Sequence, residues 1–568
     1  MGEGTIALSI PASLKAAVAD ASAQWERDRG TDRLWALDAG LWTGSDEDCW
    51  LGWLEAPDRA PVEELEALRR EVAADGVRDV LLLGMGGSSL APEVLGDVLG
   101  GQSDARLHVL DSTDPGQIRA TMSRVDLERG LVIVSSKSGT TLETARLAYY
   151  LLDRLATVVG RDRAGSRCLA ITDPGSALEE VARNARFRRV WHGEPTIGGR
   201  FSALSNFGLV PAAAIGLDVR RLVTEAQAMA NACGDPGPQN PGVALGLVLG
   251  VAAALGRDNA TLALPPGLAP LGSWVEQLVA ESTGKAGRGV MPVVDEPLGP
   301  PEAYGDDRLF VYVRDGADDR LEAPVAALAA AGQPVVTVAM SHPLAVTAEF
   351  FRWEVATAVC GAILDVNPFD QPDVEASKVA SRALMRAYEE HGELPASHEV
   401  VRDGGVSVVS AEELSARKAS GTMTMEGVVS AHLGELRPGD YFALLLYLGR
   451  NAETLAVAER IRTTVRDGRQ VATAVGFGPR FLHSSGQLFK GGPDRGVFLQ
   501  VTADDPEDLP IPGHPYSFGV VKAAQARGDA QILEARGRRL LSVHLTGDPR
   551  QGLRQLEALV ASAVAGRQ

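Results

Sequence analysis

The sequence predicts an α/β protein built on doubly wound parallel sheets, and three observations carry that prediction. Apolar runs without polar alternation, such as "DVLLLG" (79–84), "LVIVS" (131–135) and "FALLLYLG" (442–449), are the pattern of strands buried on both faces. Stretches of helical period follow these runs. Glycine-rich turns join run to helix, where loops leaving the carboxyl ends of parallel strands line a binding crevice.

The elements follow in order. Residues 1–75 read as an N-terminal helical segment: "SLKAAVADASAQWERDRG" (13–30), the tryptophan-rich turns "LWALDAGLW" (34–42) and "CWLGWL" (49–54), then a helix started by Pro61 and ended by Gly76. Residues 76–260 alternate strand, glycine-rich turn and helix, giving a first α/β domain. A second, 261–398, is expected from "TLALPP", "VMPVVDEP", "RLFVYVRDG", "QPVVTVAM" and the long pattern 348–364. Small and polar residues from 399 to 424 predict a linker. The remainder of 399–568 reads as a C-terminal α/β extension, with "RQVATAVG", "GVFLQV" and "RLLSVHL" as strands.

Bulk properties narrow the function. A chain of 568 residues exceeds one core, so several domains are expected. With 55 basic and 74 acidic residues the net charge is -19, which disfavours nucleic acid and acidic lipid as partners but leaves room for a local anion site. Cys49, Cys168, Cys233 and Cys360 show no metal-ligand or disulfide spacing. The N-terminus lacks a signal-peptide pattern, and "GVALGLVLGVAAALG" (242–256) is shorter than a membrane span needs and reads as a tightly packed helix. A cytoplasmic protein without membrane contact, metal or cofactor is expected.

Two loops carry the chemistry. In 84-GMGGSSLAP-92, glycines including Gly87 let the backbone approach an anion at a helix start, and Ser88 adds a hydroxyl donor. This loop also reads as a dinucleotide turn, with Asp111 as the ribose acid, or as plain tight-turn geometry. In 136-SKSGTTLET-144, the hydroxyls of Ser136, Ser138, Thr140 and Thr141 and the ammonium of Lys137 surround a glycine at a second helix start. Two such loops in one sheet favour a phosphate monoester over a dinucleotide.

These motifs, with "GGRFSALSNFGL" (198–209), "ESTGKAGRG" (281–289) and "NPFDQPDVEASK" (367–378), resemble in order the glucose-6-phosphate isomerase family. "LWALDAGLWTG" and "HSSGQLFKGGP" are similar to the isomerase part of bacterial transaldolase/isomerase fusions, and 568 residues leave no room for a transaldolase barrel as well. The resemblance implies two sugar-isomerase type doubly wound parallel-sheet domains, a phosphorylated hexose as substrate, a homodimer and a place in glycolysis and gluconeogenesis. It implies that Gly87, Ser88, Ser136, Lys137, Ser138, Thr141 and Gln371 bind the phosphate end. It implies Glu281 as the base moving a proton between C2 and C1 through a cis-enediolate, Arg200 near the C1 and C2 oxygens, and Lys378 near the ring oxygen.

The family's ring-opening histidine normally follows a "GQ" pair between the base glutamate and "NPFDQ", and this chain has no such segment. His483, His342 and Lys378 remain the candidates for ring opening, and Phe489 stands where related chains carry histidine. Lys490 beside it is a further candidate. Activity on mannose 6-phosphate, a non-catalytic sugar-phosphate sensor and a dinucleotide oxidoreductase are the competing readings.

Overall fold

The buried runs become strands of three sheets. The computed structural model describes residues 6–102, 104–316, 318–410 and 424–566. The first sheet is wholly parallel, with order β3-β2-β4-β5-β6. Its strands are β2 (Asp79–Leu83), β3 (Arg106–Leu110), β4 (Gly130–Ser135), β5 (Cys168–Thr172) and β6 (Arg189–His192). Every residue of β2, β4 and β5 is buried, as central strands covered by helices on both faces require.

The second sheet, β1-β10-β9-β7-β8, repeats that winding. The chain runs from β7 (Asn259–Ala263) outward to β8 (Met291–Val293), then back across β7 to β9 (Arg308–Arg314) and on to β10 (Val335–Ala339). In the first sheet β2, β3, β4 and β5 take the same steps. β1 (Ile6–Ser9) adds an antiparallel edge strand on β10, an element that its short sequence before Pro11 does not announce.

The third sheet, β11-β12-β16-β15-β13-β14, comes from the C-terminal part. Its parallel strands are β13 (Tyr441–Tyr447), β14 (Ala472–Phe477), β15 (Gly496–Ala503) and β16 (Arg539–Leu545). Part of the expected linker is instead a hairpin, β11 (His398–Asp403) and β12 (Val406–Ser410), with β12 paired to β16. The valines of this stretch supply β-branched residues for pairing, which the small and polar composition of 399–424 obscures. Residues 411–423 of that stretch lie outside the described residues.

The glycine-rich stretch near 242 is a helix, Pro241–Ala254, packed on helix Val346–Leu364. Gly242, Gly246 and Gly250 line the contact, and a Cβ on Gly246 would lie 2.5 Å from the Ala356 carbonyl oxygen. Backbone cannot yield as a side chain does, so Gly246→Leu is expected to cost about 3 kcal/mol in chemical denaturation. An unchanged midpoint would contradict this packing. Among the described residues no helix is long and apolar enough to cross a membrane.

The N-terminal tryptophans brace what becomes the site. Trp53 packs on Phe201 and Phe351, with ring centroids 5.2 and 5.8 Å apart. Trp42 lies edge-on to Phe369 at 5.2 Å and donates to the Ala358 carbonyl. Phe201 and Phe369 are neighbours in sequence of Arg200 and Asp370.

Candidate functional site

The two hydroxyl-bearing loops leave the carboxyl ends of β2 and β4, either side of the switch point of the first sheet. In the first loop Gly86 has φ +53, and a Cβ there would lie 2.6 Å from Gln277 Nε2 and 2.8 Å from the His483 carbonyl oxygen. A Cβ on Gly87 would collide with the Gly199 carbonyl. Only glycine allows this approach, which holds Ser88 beside Arg200. In the second loop Ser136 Oγ donates to Thr141 Oγ1 at 3.1 Å, and the Ser138 and Thr140 hydroxyls lie 2.9 Å apart. Thr141 precedes helix Leu142–Val159 without capping it through its side chain, so first-turn N–H groups remain for an anion.

Helix Ala269–Thr283 brings in the carboxylate. Gln277 and Glu281 are one turn apart on it, and Gln277 Nε2 donates to Glu281 Oε2 at 3.1 Å. Glu281 Oε1 lies 3.6 Å from Arg200 Nη1. Arg200 is 3% exposed. Its Nε donates to Ser282 Oγ at 2.7 Å, Nη1 to Gln371 Oε1 at 2.7 Å, and Nη2 to the carbonyls of Pro368 and Asp370 at 2.6 and 2.9 Å. Burial lowers the Arg200 pKa, while Glu281 and Asp370 oppose the shift. One planar guanidinium thus fixes helix Ala269–Thr283 and the "NPFDQ" loop at a set separation. Lys285 pins the same loop, donating to Asn367 and Asp370 carbonyls at 2.7 and 2.5 Å and to Asp370 Oδ1 at 2.6 Å. Burial, then Arg200, brings its pKa down to about 8.

The C-terminal extension closes the third side. Arg480 bonds Asp111 Oδ2 at 2.5 Å and also grips Glu93, while Lys522 bonds Asp114 and Asp505. These contacts set residues 480–491 over the carboxyl end of the first sheet. His483 Nε2 lies 3.0 Å from Glu143 Oε1, and Gln525 Nε2 donates to that oxygen at 2.6 Å. Burial alone would push the Glu143 carboxyl up, but His483 and its hydrogen bond outweigh it and the net shift is downward. A carboxylate at Nε2 makes that nitrogen the proton-bearing one, which leaves Nδ1 for chemistry.

This arrangement joins two anion-ready loops, an acid–guanidinium pair and a carboxylate-oriented histidine. The phosphoglucose isomerase family model matches residues 66–297, which end short of His483. The chain is 30% identical over 375 residues to the glucose-6-phosphate isomerase of Rubrobacter xylanophilus, covering 57% of this chain and 87% of that one. The chain belongs to the glucose-6-phosphate isomerase family. The probable glucose-6-phosphate isomerase of Haloarcula marismortui is also 30% identical, over 58% of this chain and 84% of its own. Among solved structures, hypothetical protein TT0462 of Thermus thermophilus superposes with TM-score 0.57 at 26% identity, covering 66% of this chain and 99% of that one. A glucose-6-phosphate isomerase of Chlamydia trachomatis superposes at TM-score 0.52 and 22% identity over 58% of this chain and 74% of that one, which bears on the fold alone.

Not every residue expected from the family motifs meets the others. Lys378 is 47% exposed on helix Val374–His391, 3.8 Å from Glu375. It reaches Glu143 only as a nearby charge. Lys137 is held by Asp173 at 2.6 Å and by the carbonyls of Glu194 and Pro195, so it ties its loop to β5. Gln371 lies at the Arg200 end of the site, pulled there by the guanidinium. His342 pairs with Glu225 at 3.5 Å, on helix Val219–Gly234. Phe489 is core, packed on Phe498 at 5.2 Å, and Lys490 is buried in an ion pair with Asp529. Asp111, the ribose acid of the dinucleotide reading, is engaged by Arg480. Sequence reasoning missed Gln277, Glu143 and Lys285. Gln277 was detectable as the residue one turn before Glu281; the other two stood inside quoted motifs without an assigned task.

Proposed function

We propose that this protein interconverts glucose 6-phosphate and fructose 6-phosphate, a step of glycolysis and gluconeogenesis, through a cis-enediolate. The observation that carries the reading is Glu281, with one oxygen held by Gln277 and the other 3.6 Å from the Arg200 guanidinium, next to the first hydroxyl loop, whose Gly86 abuts Gln277. The loops after β2 and β4 receive the phosphate through backbone N–H groups and the hydroxyls of Ser88, Ser136, Ser138 and Thr141. Lys137, committed to Asp173, orders its loop and adds long-range positive charge.

Ring opening moves the C1 hydroxyl proton to an acceptor and delivers a proton to the ring oxygen. His483, oriented by Glu143, serves at this step through Nδ1. Glu281 then takes the C2 proton as its carboxylate, leaving the enediolate, and as the carboxylic acid delivers a proton to C1 while the O2 hydroxyl proton passes to O1. Arg200 faces the negative charge that grows on oxygen as C2 loses its proton.

Two measurements bear on the reading. Fructose 6-phosphate supplied to the protein is expected to yield glucose 6-phosphate, and mannose 6-phosphate as the main product would shift the specificity assignment. His483→Gln is expected to lower kcat on the cyclic sugar by about 10²-fold while sparing an open-chain substrate of the same phosphate ester. Glu143→Gln is expected to act in the same direction and more weakly. Equal losses on both substrates would move His483 to a structural role.

A further inference from the structure

The carboxylate that orients His483 is itself held. Glu143 sits in the first turn of helix Leu142–Val159, and its Oε1 takes two donors, His483 Nε2 at 3.0 Å and Gln525 Nε2 at 2.6 Å. Gln525 lies on helix Phe518–Ala535 of the C-terminal extension. Its Oε1 accepts from Thr113 Oγ1 at 2.9 Å, and Thr113 lies between β3 and helix Pro115–Met122. Thr113, Gln525 and Glu143 are all buried. Among the described residues His483 and Gln525 are the side chains that hydrogen-bond Glu143.

The row has one direction. An amide accepts at one end and donates at the other, and a hydroxyl can meet either end. The Glu143 end decides. Burial raises the Glu143 carboxyl, but His483 outweighs it and keeps the group ionised. A reversed amide would set its oxygen 2.6 Å from a carboxylate oxygen. Nitrogen therefore faces Glu143, oxygen faces Thr113, and the Thr113 hydroxyl donates. Two donors converging on Oε1 restrain the carboxylate against rotation about its last bond.

The row also alternates between the first sheet and the extension. Thr113 and Glu143 flank the sheet, whereas Gln525 and His483 come from the extension. Lys522 precedes Gln525 by about one turn and bonds Asp114 at 2.9 Å, next to Thr113. Helix Phe518–Ala535 cannot slide along the row without breaking both contacts. On the third sheet, Gln500 Nε2 donates to the Ala526 carbonyl at 3.0 Å and fixes the same turn.

We propose, on the reading of His483 as the ring-opening group, that Gln525 and Thr113 are positioning residues for that step, acting through Glu143 to hold His483 in the tautomer that leaves Nδ1 unprotonated. Their part is geometric. With Oε1 held, the imidazole has one partner in one place and one nitrogen left over. Glu281 takes no part in this row, so the effect is confined to cyclic substrates.

Gln525→Leu removes both ends of the amide, Thr113→Val keeps the shape of threonine without its hydroxyl, and Thr113→Ser keeps the hydroxyl. In the full chain, Gln525→Leu is expected to lower kcat on fructose 6-phosphate about tenfold with KM changed less than about twofold. The rate on an open-chain substrate of the same phosphate ester is expected to stay unchanged. Thr113→Val leaves the amide free to turn and is expected to give a smaller loss of the same kind, which Thr113→Ser does not show. A second readout does not depend on turnover. Long-range proton–nitrogen correlation spectra of protein carrying isotope-labelled histidine identify the tautomer, with His483 assigned by its loss in His483→Gln. At about pH 9, above the ordinary titration range of imidazole, wild type and Thr113→Ser are expected to show an Nε2–H ring and Gln525→Leu a mixture of tautomers. Thr113→Val carries both readouts if Gln525→Leu does not fold. Equal losses on cyclic and open-chain substrates, or the wild-type tautomer in both Gln525→Leu and Thr113→Val, would overturn the positioning role. A tautomer change in protein that turns over no sugar would instead overturn the isomerase reading while the row itself stands.

Discussion

Glu281→Gln is expected to lower kcat by about 10³-fold with KM for fructose 6-phosphate changed less than about threefold. Glutamine keeps the size of the side chain and an oxygen for Gln277 Nε2, and the phosphate loops lie on other elements. What it removes is the proton acceptor. The neutral amide cannot take the C2 proton at any pH. Steady-state kinetics on wild type and variant give the result, and a loss below tenfold would place the base elsewhere.

Arg200→Lys is expected to cost about 10²-fold in kcat/KM and to lower the thermal midpoint as well. The guanidinium makes four hydrogen bonds in addition to its contact with Glu281. An ammonium keeps the charge but offers three donors from one point, so some of Ser282, Gln371 and the carbonyls of Pro368 and Asp370 lose a partner. Each buried acceptor left unpaired costs about 1–3 kcal/mol. Arg200→Ala removes the charge beside Glu281 too, and is expected to be worse in both respects. An Arg200→Lys protein with wild-type kinetics would show that the guanidinium is scaffolding only.

The two hydroxyl-bearing loops were legible in the sequence because each lies in a contiguous motif at the end of an apolar strand, and Glu281 entered only through the family resemblance of "ESTGKAGRG". "SKSGTT" after an apolar strand can hardly avoid placing hydroxyls at a helix start. The Glu143–His483 contact was not legible in that way, since 340 residues separate its partners and only the docking of the extension through Arg480 and Lys522 brings them together. Composition misled at 399–410, where small and polar residues conceal strands that need pairing partners from β16. The sequence also could not show that Lys137 pairs with Asp173 and that Lys378 lies near Glu375, since it shows that a cation is present but not which carboxylate stands beside it. Segment 480–493, glycine-rich and open to several readings, resolves into a fixed wall. Gln487 bonds the Gly284 carbonyl and Asp373, Lys490 is buried against Asp529, and His483 is held by Glu143.

The central claim is that a carboxylate carries one proton between adjacent carbons, and isotope exchange in deuterium oxide tests it directly. Wild-type protein equilibrated with fructose 6-phosphate in D2O is expected to incorporate deuterium at C1 of the ketose and C2 of the aldose, as proton NMR reads, because Glu281 exchanges with solvent between the two half-transfers. Glu281→Gln is expected to abolish that incorporation. Turnover without deuterium uptake would indicate a direct hydride shift, and undiminished uptake in Glu281→Gln would assign the proton to another base; either result would contradict the account.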